Sequence, residues 1–444
     1  MKPLGTASPV VPSNVEREKA LQGVVMAYIV TGLLFMLLPG TFLGVWNLIA
    51  ISASRGAQGL SPAWVQAHGH AQIFGWIGTF IIGIGFYSLS KMGELKPYVV
   101  RRAWLAWALW TAGVTGRWAA GVYAWHWRIM LPLSAGTECV AFLLFFSAVR
   151  QHRPRRVKSD LPVLSNPPDS WMKLVLASTF GFLTALCFHL GIAVWVAVQG
   201  TGPQFPRASD QRLLTLCVWG FLVLSVWGFN ARWLPMFAGL RPASERGLLW
   251  ALRLVILGVT LAFVGWATLS SVVLLCSALL AAVSLRVFAA GAQPARTQGI
   301  HAAFPYFARA AYGWLLLAAC LSIWASLADR HGGILGASRH AITVGFIGTM
   351  VFAIGPRLLP GFCGAPRLFS KNLMFGALLL LNIGCLLRVA SQIPAYENHF
   401  GAAWSVLPVS AVVELSAVAL FAVNLLATFA RRSVRILAVS QAAA

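Results

Sequence analysis

Residues 70–85 read HAQIFGWIGTFIIGIG, and residues 340–355 read HAITVGFIGTMVFAIG. The two stretches agree at eight of sixteen positions without a gap, where ordinary residue frequencies would give roughly one or two agreements by chance. Each stretch is apolar, opens with a histidine and contains no acidic or basic side chain after it. Because such a run suits the hydrocarbon core of a bilayer as a helix, we predict two copies of one transmembrane helix.

A second repeated pair lies at nearly the same separation. Residues 131–145 and 407–421 share Leu-Pro, Ser-Ala, a glutamate, an alanine and Leu-Phe at matching spacings. A fainter third copy relates residues 220–237 to residues 345–362 through Gly-Phe and an arginine followed by Leu-Pro and phenylalanine. The repeat therefore predicts equivalent helices at every fourth span.

The composition excludes a soluble domain. Of the 444 residues, 59% are hydrophobic and only 10% are charged, and the mean hydropathy is +0.76; soluble proteins are roughly one quarter charged. We expect one transmembrane domain over 23–430 between cytoplasmic tails 1–22 and 431–444, with the seventh and eighth helices separated at Leu269–Ser271. Twelve apolar segments are long enough to span: 24–50, 69–90, 103–125, 129–149, 172–198, 213–237, 248–268, 270–290, 306–328, 340–362, 373–393 and 404–430.

The basic residues indicate topology. The net charge is +23, but the lysines and arginines occur in short bursts between apolar runs, which is unlike a nucleic-acid-binding surface. The positive-inside rule predicts that both termini face the cytoplasm of a bacterial inner membrane, and the segment 150–158 contributes most to this prediction. No cleavable signal is evident. The seven cysteines form no CxxC pair, so neither a disulfide framework nor a thiolate metal site is expected.

Three histidines are candidate ligands at the predicted outer face. In this topology His68, His70 and His340 lie within about one helical turn of that face. A neutral imidazole is a good ligand for haem iron or copper, and the duplication of His70 as His340 favours that role over an interfacial histidine facing water. His68 has no such support, because Ser338 occupies the matching position.

Glycines one and two turns deeper accompany these histidines. Gly75 and Gly78 match Gly345 and Gly348. They leave flat helix faces on which a porphyrin could lie, although close helix packing gives the same pattern.

Charged side chains inside spans mark further candidates. Glu138 and Glu414 are repeat counterparts, and Arg117 and Arg388 are predicted at the same depth and follow a glycine by four positions. Two structural ion pairs are one interpretation, and proton sites at the glutamates are another. The arginines could instead bind haem propionates, since the guanidinium fork suits a carboxylate.

His189 lies deep in the fifth predicted helix. It is a candidate additional ligand, although a hydrogen-bonded core histidine is the simpler interpretation. The remaining histidines are given no role: His126, His152, His301, His331 and His399.

The residues around the histidines resemble a known family. The stretch His68–Trp76, HGHAQIFGW, is similar to the haem-ligating helices of haem-copper oxidase catalytic subunits, in which a His-x-His pair opens such a helix. Together with residues 339–350 and 384–390, it most resembles the NnrS family, twelve-span membrane proteins that contain haem and copper and are linked to nitric oxide. The similarity covers helices two to four and ten to twelve.

The resemblance implies a pseudo-threefold bundle with haem, of the b type, near the outer face. His70 and His340 would be the paired axial ligands, His68 a second haem or metal ligand, and copper a further metal. It also implies a role in the response to nitric oxide or nitrosative stress, through ligand binding, sensing or electron transfer with a redox partner. Residues 213–268 contain no histidine, so the resemblance does not extend to oxygen reduction at a binuclear centre.

Two other classes of function remain open at this point. A cofactor-free secondary transporter also has twelve spans and internal repeats, and would use Glu138, Glu414 and the histidines as proton sites. Against it, the predicted buried charges lie toward the outer half and the repeats are parallel. An assembly factor for respiratory complexes would bind neither metal nor substrate.

Overall fold

A computed structural model describes residues 14–56, 60–90, 95–151, 169–365, 367–397 and 399–442. Over these residues the regular structure is entirely helical and forms twelve long helices. They are α1 Val15–Ser54, α2 Pro62–Leu89, α3 Tyr98–Tyr123, α4 Trp127–Gln151, α5 Ser170–Gln199, α6 Arg207–Ala238, α7 Glu245–Val264, α8 Ala267–Ser284, α9 Phe304–Ala328, α10 Gly333–Phe362, α11 Lys371–Tyr396 and α12 Ala403–Ala442.

Eleven of these helices are long and apolar enough to cross a membrane. The twelfth is α3, which carries Arg101, Arg102 and Arg117 among its 26 residues. It packs against its neighbour α4, which has 25 residues and is one of the eleven. The predicted all-α, multi-pass membrane fold is therefore confirmed.

The helices form three arcs of four. Within each arc the first two helices pack together and the last two form a hairpin, as in α1–α2 and α3–α4. The arcs join through α4 on α5, α8 on α9 and α12 on α1, so the ring closes. This is the pseudo-threefold arrangement that the family resemblance implies, with equivalent helices at every fourth span as the repeats predict.

A π-helical turn interrupts the second helix of every arc. It spans Ala71–Gly78 in α2, Leu216–Val223 in α6 and Ala341–Gly348 in α10. These turns keep the register of the sequence repeat, so they establish the third copy more firmly than residue identities do. Thr215 consequently occupies the position that His70 and His340 hold in the other arcs.

The break between α7 and α8 lies earlier than predicted. The chain turns at Gly265, whose φ of 96° lies in the left-handed region that glycine adopts readily, and not at Leu269–Ser271. The eighth helix therefore ends at Ser284, and the following residues to Ala303 form an irregular segment across one end of the bundle.

The helices extend into both predicted tails. Helix α1 begins at Val15 and α12 continues to Ala442. Residues 1–13 and 443–444, and most of the basic segment 150–158 that dominates the topology prediction, lie outside the described residues. Hereafter, the end of the bundle at which α2 and α10 begin is the histidine end, and the end at which α6 and α10 finish is the arginine end.

Candidate metal centre

His70, Glu138 and His189 form one buried cluster at the histidine end. His70 is the last residue before the π-helical turn of α2, and its Nε2 lies 3.1 Å from Oε1 of Glu138 on α4. Nδ1 of His189 on α5 lies 3.5 Å from the other carboxylate oxygen, Oε2. One ligand atom from each side chain falls within 4.8 Å of the others. Two imidazoles thus share a glutamate whose side chain has no exposure to solvent.

The polar atoms of this cluster are not satisfied by the protein. Both ring nitrogens of His70, both carboxylate oxygens of Glu138 and Nδ1 of His189 are buried without a hydrogen bond of acceptable geometry. Native proteins rarely leave buried polar groups in this state, because each costs about 1–3 kcal/mol. Two imidazole nitrogens and a carboxylate at these distances are a donor set that fits a metal cation.

A glycine on α3 makes room for the glutamate. A Cβ atom at Gly113 would lie 2.7 Å from Cγ of Glu138, closer than side chains tolerate. Arg117 follows one turn later and is 1% exposed. Its Nε and one terminal nitrogen also have no hydrogen-bond partner.

The arginine does not contact the glutamate directly. An ion pair between Arg117 and Glu138 was one of the interpretations of the sequence, but among the described residues the close partners of this carboxylate are the two imidazoles. Arg117 acts on Glu138, and on Asp210, at longer range. Its guanidinium lies over the ring of Phe205, 4.6 Å from the ring centroid.

Phe205 closes the cluster at the histidine end. This residue belongs to the segment that connects α5 and α6, yet it is buried, and its ring lies 5.4 Å from that of His189. Gln66 holds its backbone on both sides, because Phe205 donates its N–H to Oε1 at 2.7 Å and accepts from Nε2 at 2.9 Å. Neither Phe205 nor Gln66 is among the candidate residues predicted from the sequence.

The last arc contains a second, more open copy. Nε2 of His340 lies 3.0 Å from both carboxylate oxygens of Glu414. A Cβ atom at Gly384 would lie 2.6 Å from Cγ of Glu414, and Arg388 follows this glycine as Arg117 follows Gly113. The His340 and Glu414 side chains are 21% and 10% exposed, so this copy is less enclosed by the protein than the first.

His68 faces the second copy. Its Nδ1 lies 2.8 Å from the carbonyl oxygen of Gly40 on α1, and it interacts electrostatically with His340, Glu414 and Arg388. Residues two apart on a helix point to different sides, so the His-x-His pair of α2 divides between the two copies.

His70 and His340 are therefore not brought into contact. In the part of the chain that the structure describes, each Nε2 faces the glutamate of its own arc. Their convergence on a single iron stays a prediction.

The middle arc has no glutamate, arginine or histidine at the positions that match the two copies. Gly258 approaches Leu274 and the carbonyl of Ser270, as Gly113 approaches Glu138 and the carbonyl of Ser134. By this register Leu274 replaces the glutamate, Ala262 the arginine and Thr215 the histidine. The signal was present in the sequence as serine followed four residues later by leucine, but only the packing makes the match evident.

The glycines below the histidines serve helix packing. A Cβ atom at Gly75 would lie 2.9 Å from Cβ of Phe35, and one at Gly345 would lie 2.6 Å from the ring of Trp314. Gly78 similarly faces Trp110. Close packing against aromatic residues therefore accounts for Gly75, Gly78 and Gly345, whereas Gly348 faces Leu381 at 3.5 Å. A porphyrin on these helix faces stays a prediction.

Comparison with known proteins identifies the family. No curated protein matches this chain. The family model described as NnrS protein matches residues 23–432, a range that contains the candidate metal centre, its second copy and all three arcs. The chain therefore belongs to the NnrS family.

Proposed function

We propose that this chain is a metal-containing inner-membrane protein of the nitric oxide response, acting by ligand binding, sensing or electron transfer at a centre held by His70, Glu138 and His189. The observation that carries the proposal is the buried cluster itself: three ligand groups within 4.8 Å whose polar atoms find no partner in the protein. A protein that only needed to fill its core would place apolar groups there, as the middle arc does.

The donor set limits the choice of metal. Imidazole nitrogens suit copper, iron and zinc, whereas calcium and magnesium prefer all-oxygen sites. Copper is the metal that the family resemblance implies, and a redox metal would supply one-electron chemistry for the electron-transfer alternative. Around it, His70 and His189 would donate nitrogen and Glu138 oxygen, while Phe205 and Phe74 exclude water.

Haem does not fit the glycine faces in this structure. Phe35 and Trp314 occupy them, as described above. The role of Arg117 and Arg388 as partners of haem propionates stays a prediction. A haem of the b type held by His70 and His340 remains the second cofactor to be tested.

The setting of the centre is compatible with a small uncharged ligand. The centre lies in an apolar bundle and near the histidine end, which the charge bias predicts to face away from the cytoplasm, with both termini cytoplasmic. A diatomic gas such as nitric oxide dissolves in the bilayer and needs no aqueous channel. The redox partner would then approach the histidine end.

The proposal is tested by metal analysis and absorption spectroscopy of the detergent-purified protein. We expect stoichiometric metal in the wild type, loss of that metal in His70→Ala and His189→Ala, and full retention in His331→Ala, which alters an exposed histidine. Absorption spectra before and after dithionite report haem separately, because haem gives a Soret band. Loss of that band in both His70→Ala and His340→Ala would identify the two histidines as its ligands.

Two outcomes would contradict the proposal. One is a wild-type protein that contains no metal and takes up neither copper, iron nor zinc. The other is full metal content in both His70→Ala and His189→Ala. Transport or assembly functions, which require no metal at this cluster, would then be the better explanations.

A further inference from the structure

A groove at the arginine end lies far along α6 from the metal centre. It has a volume of about 500 Å³ and lies between the last turns of α6 and the irregular segment that follows α8. Arg232 and Arg241 line it from the end of α6 and the residues just after it, and Arg296 lines it from the irregular segment.

The groove is built by specific backbone contacts. Gly239, at a φ of 68°, ends α6 and accepts hydrogen bonds from the N–H groups of Ala292 and Gln293 at 2.8 and 3.1 Å. Arg296 donates its backbone N–H to the carbonyl of Phe237 at 2.9 Å. A Cβ atom at Gly239 would lie 2.0 Å from the carbonyl oxygen of Gln293, so the close approach of the two segments depends on this glycine.

These contacts also occupy the acceptors at the end of the helix. The last carbonyls of a helix ordinarily attract cations. Here the carbonyls of Phe237 and Gly239 are engaged by backbone N–H groups, so they are not the partners of the arginine side chains.

The arginines are held in place but not neutralised. Arg232 lies over the ring of Trp171, 4.5 Å from its centroid, and Arg357 lies over Phe237 at 3.9 Å and donates to the carbonyl of Arg296. Among the residues that the structure describes, Arg232, Arg241, Arg296 and Arg357 form no ion pair with an acidic side chain. Arg296 and Arg357 are close enough to repel each other.

From this arrangement we infer that the groove is a binding site for a phosphate group. Three guanidinium groups without acidic partners among the described residues line the groove, and that of Arg232 is positioned by an aromatic ring. They match the oxygens of a phosphate, to which arginine forms paired hydrogen bonds. The neighbouring Trp171 is the kind of side chain found at membrane interfaces. The phosphate is therefore that of an anionic phospholipid headgroup, or inorganic phosphate that reaches the same groove from water.

The experiment compares two arginine-to-glutamine triple variants of the full chain. The groove variant carries Arg232→Gln, Arg241→Gln and Arg296→Gln. The control removes the same charge from exposed arginines outside the groove: Arg101, Arg150 and Arg367. Each protein is placed in nanodiscs of phosphatidylcholine containing phosphatidylglycerol, and bound lipid is counted by native mass spectrometry. Equilibrium dialysis with inorganic phosphate in detergent measures the soluble ligand.

We expect the groove variant to bind phosphatidylglycerol at least about tenfold more weakly than wild type, since each charge-assisted hydrogen bond is worth a factor of about ten or more. The control should bind as wild type does. A loss confined to inorganic phosphate would support the site with a soluble ligand. Equal binding of both ligands by all three proteins, or binding of neither by wild type, would overturn the inference.

A failure of the groove variant to fold does not leave the question open. Arg241→Gln alone alters an exposed residue in a loop and removes one of the lining guanidinium groups. It should weaken binding measurably, and unchanged affinity for both phosphatidylglycerol and phosphate in this single variant would contradict the inference.

Discussion

The most direct test of the site's construction is Gly113→Ala. Alanine is favoured over glycine inside a helix by roughly 0.5–1 kcal/mol, so the substitution would stabilise α3 if space were available. It is not: the new Cβ would lie 2.7 Å from Cγ of Glu138 and 2.9 Å from the carbonyl oxygen of Ser134. Overpacking of this kind costs about 1–3 kcal/mol. The clash should therefore outweigh the gain in helix propensity and displace the carboxylate.

Gly136→Ala on α4 is the matched control. A Cβ atom there would have no heavy atom within 4 Å, so only the gain in propensity applies. We expect the two alanine variants to differ by about 1–3 kcal/mol in unfolding free energy. The assay is unfolding by sodium dodecyl sulfate in dodecylmaltoside micelles, followed by circular dichroism, with metal content measured on the same samples.

The prediction is contradicted if Gly113→Ala and Gly136→Ala have the same unfolding free energy. Equal stability would mean that α3 and α4 adjust without cost, so that Gly113 is not required for the position of Glu138. If Gly113→Ala loses stability but keeps its full metal content, the clash is real but the position of the Glu138 carboxylate is not needed for metal binding.

Three further predictions follow from the same geometry. Phe205→Ala should open the centre, so that diethylpyrocarbonate modifies His189 faster, as measured by peptide mass spectrometry. The control Phe400→Ala alters a side chain that is 69% exposed and should leave the rate of modification unchanged. Equal rates in the two variants would show that Phe205 does not close the site. Leu274→Glu should place a glutamate in the middle arc without a histidine or arginine to pair with it. We expect the protein to lose about 3–5 kcal/mol of stability, the cost of an unpaired buried charge. A variant as stable as wild type would contradict the assigned register. Metal at about 100 times its Kd should stabilise the wild type against thermal unfolding by about 2.7 kcal/mol. His189→Ala should no longer be stabilised by metal. Stabilisation of this variant by the same amount as wild type would mean that the metal binds elsewhere.

Much of the fold was predictable because its causes are local. The length and apolarity of each span follow from the thickness of the hydrocarbon core, and the repeats at His70 and His340 required only comparison of the chain with itself. Even the third copy was visible as a weak signal around Gly220. The hairpin at Gly265 was misplaced because hydropathy is continuous across it, and only the left-handed backbone of that glycine ends the helix.

The candidate residues were also predictable, but their grouping was not. A histidine or glutamate in an apolar helix is conspicuous because of its burial cost, which is why His70, His340, Glu138 and Glu414 were found. His189 was given less weight because a hydrogen-bonded core histidine was the simpler interpretation. In the structure it contacts the same glutamate as His70.

Composition and spacing are properties of the chain alone, so they suffice to identify a membrane bundle built from related arcs and the polar side chains that it must accommodate. Only helix packing shows that His68 and His70 face different clusters, that imidazoles and not arginines contact the glutamates, and that aromatic residues lie against Gly75 and Gly345. Those outcomes depend on how far each helix is rotated about its axis, and rotation is fixed only when neighbouring helices pack together.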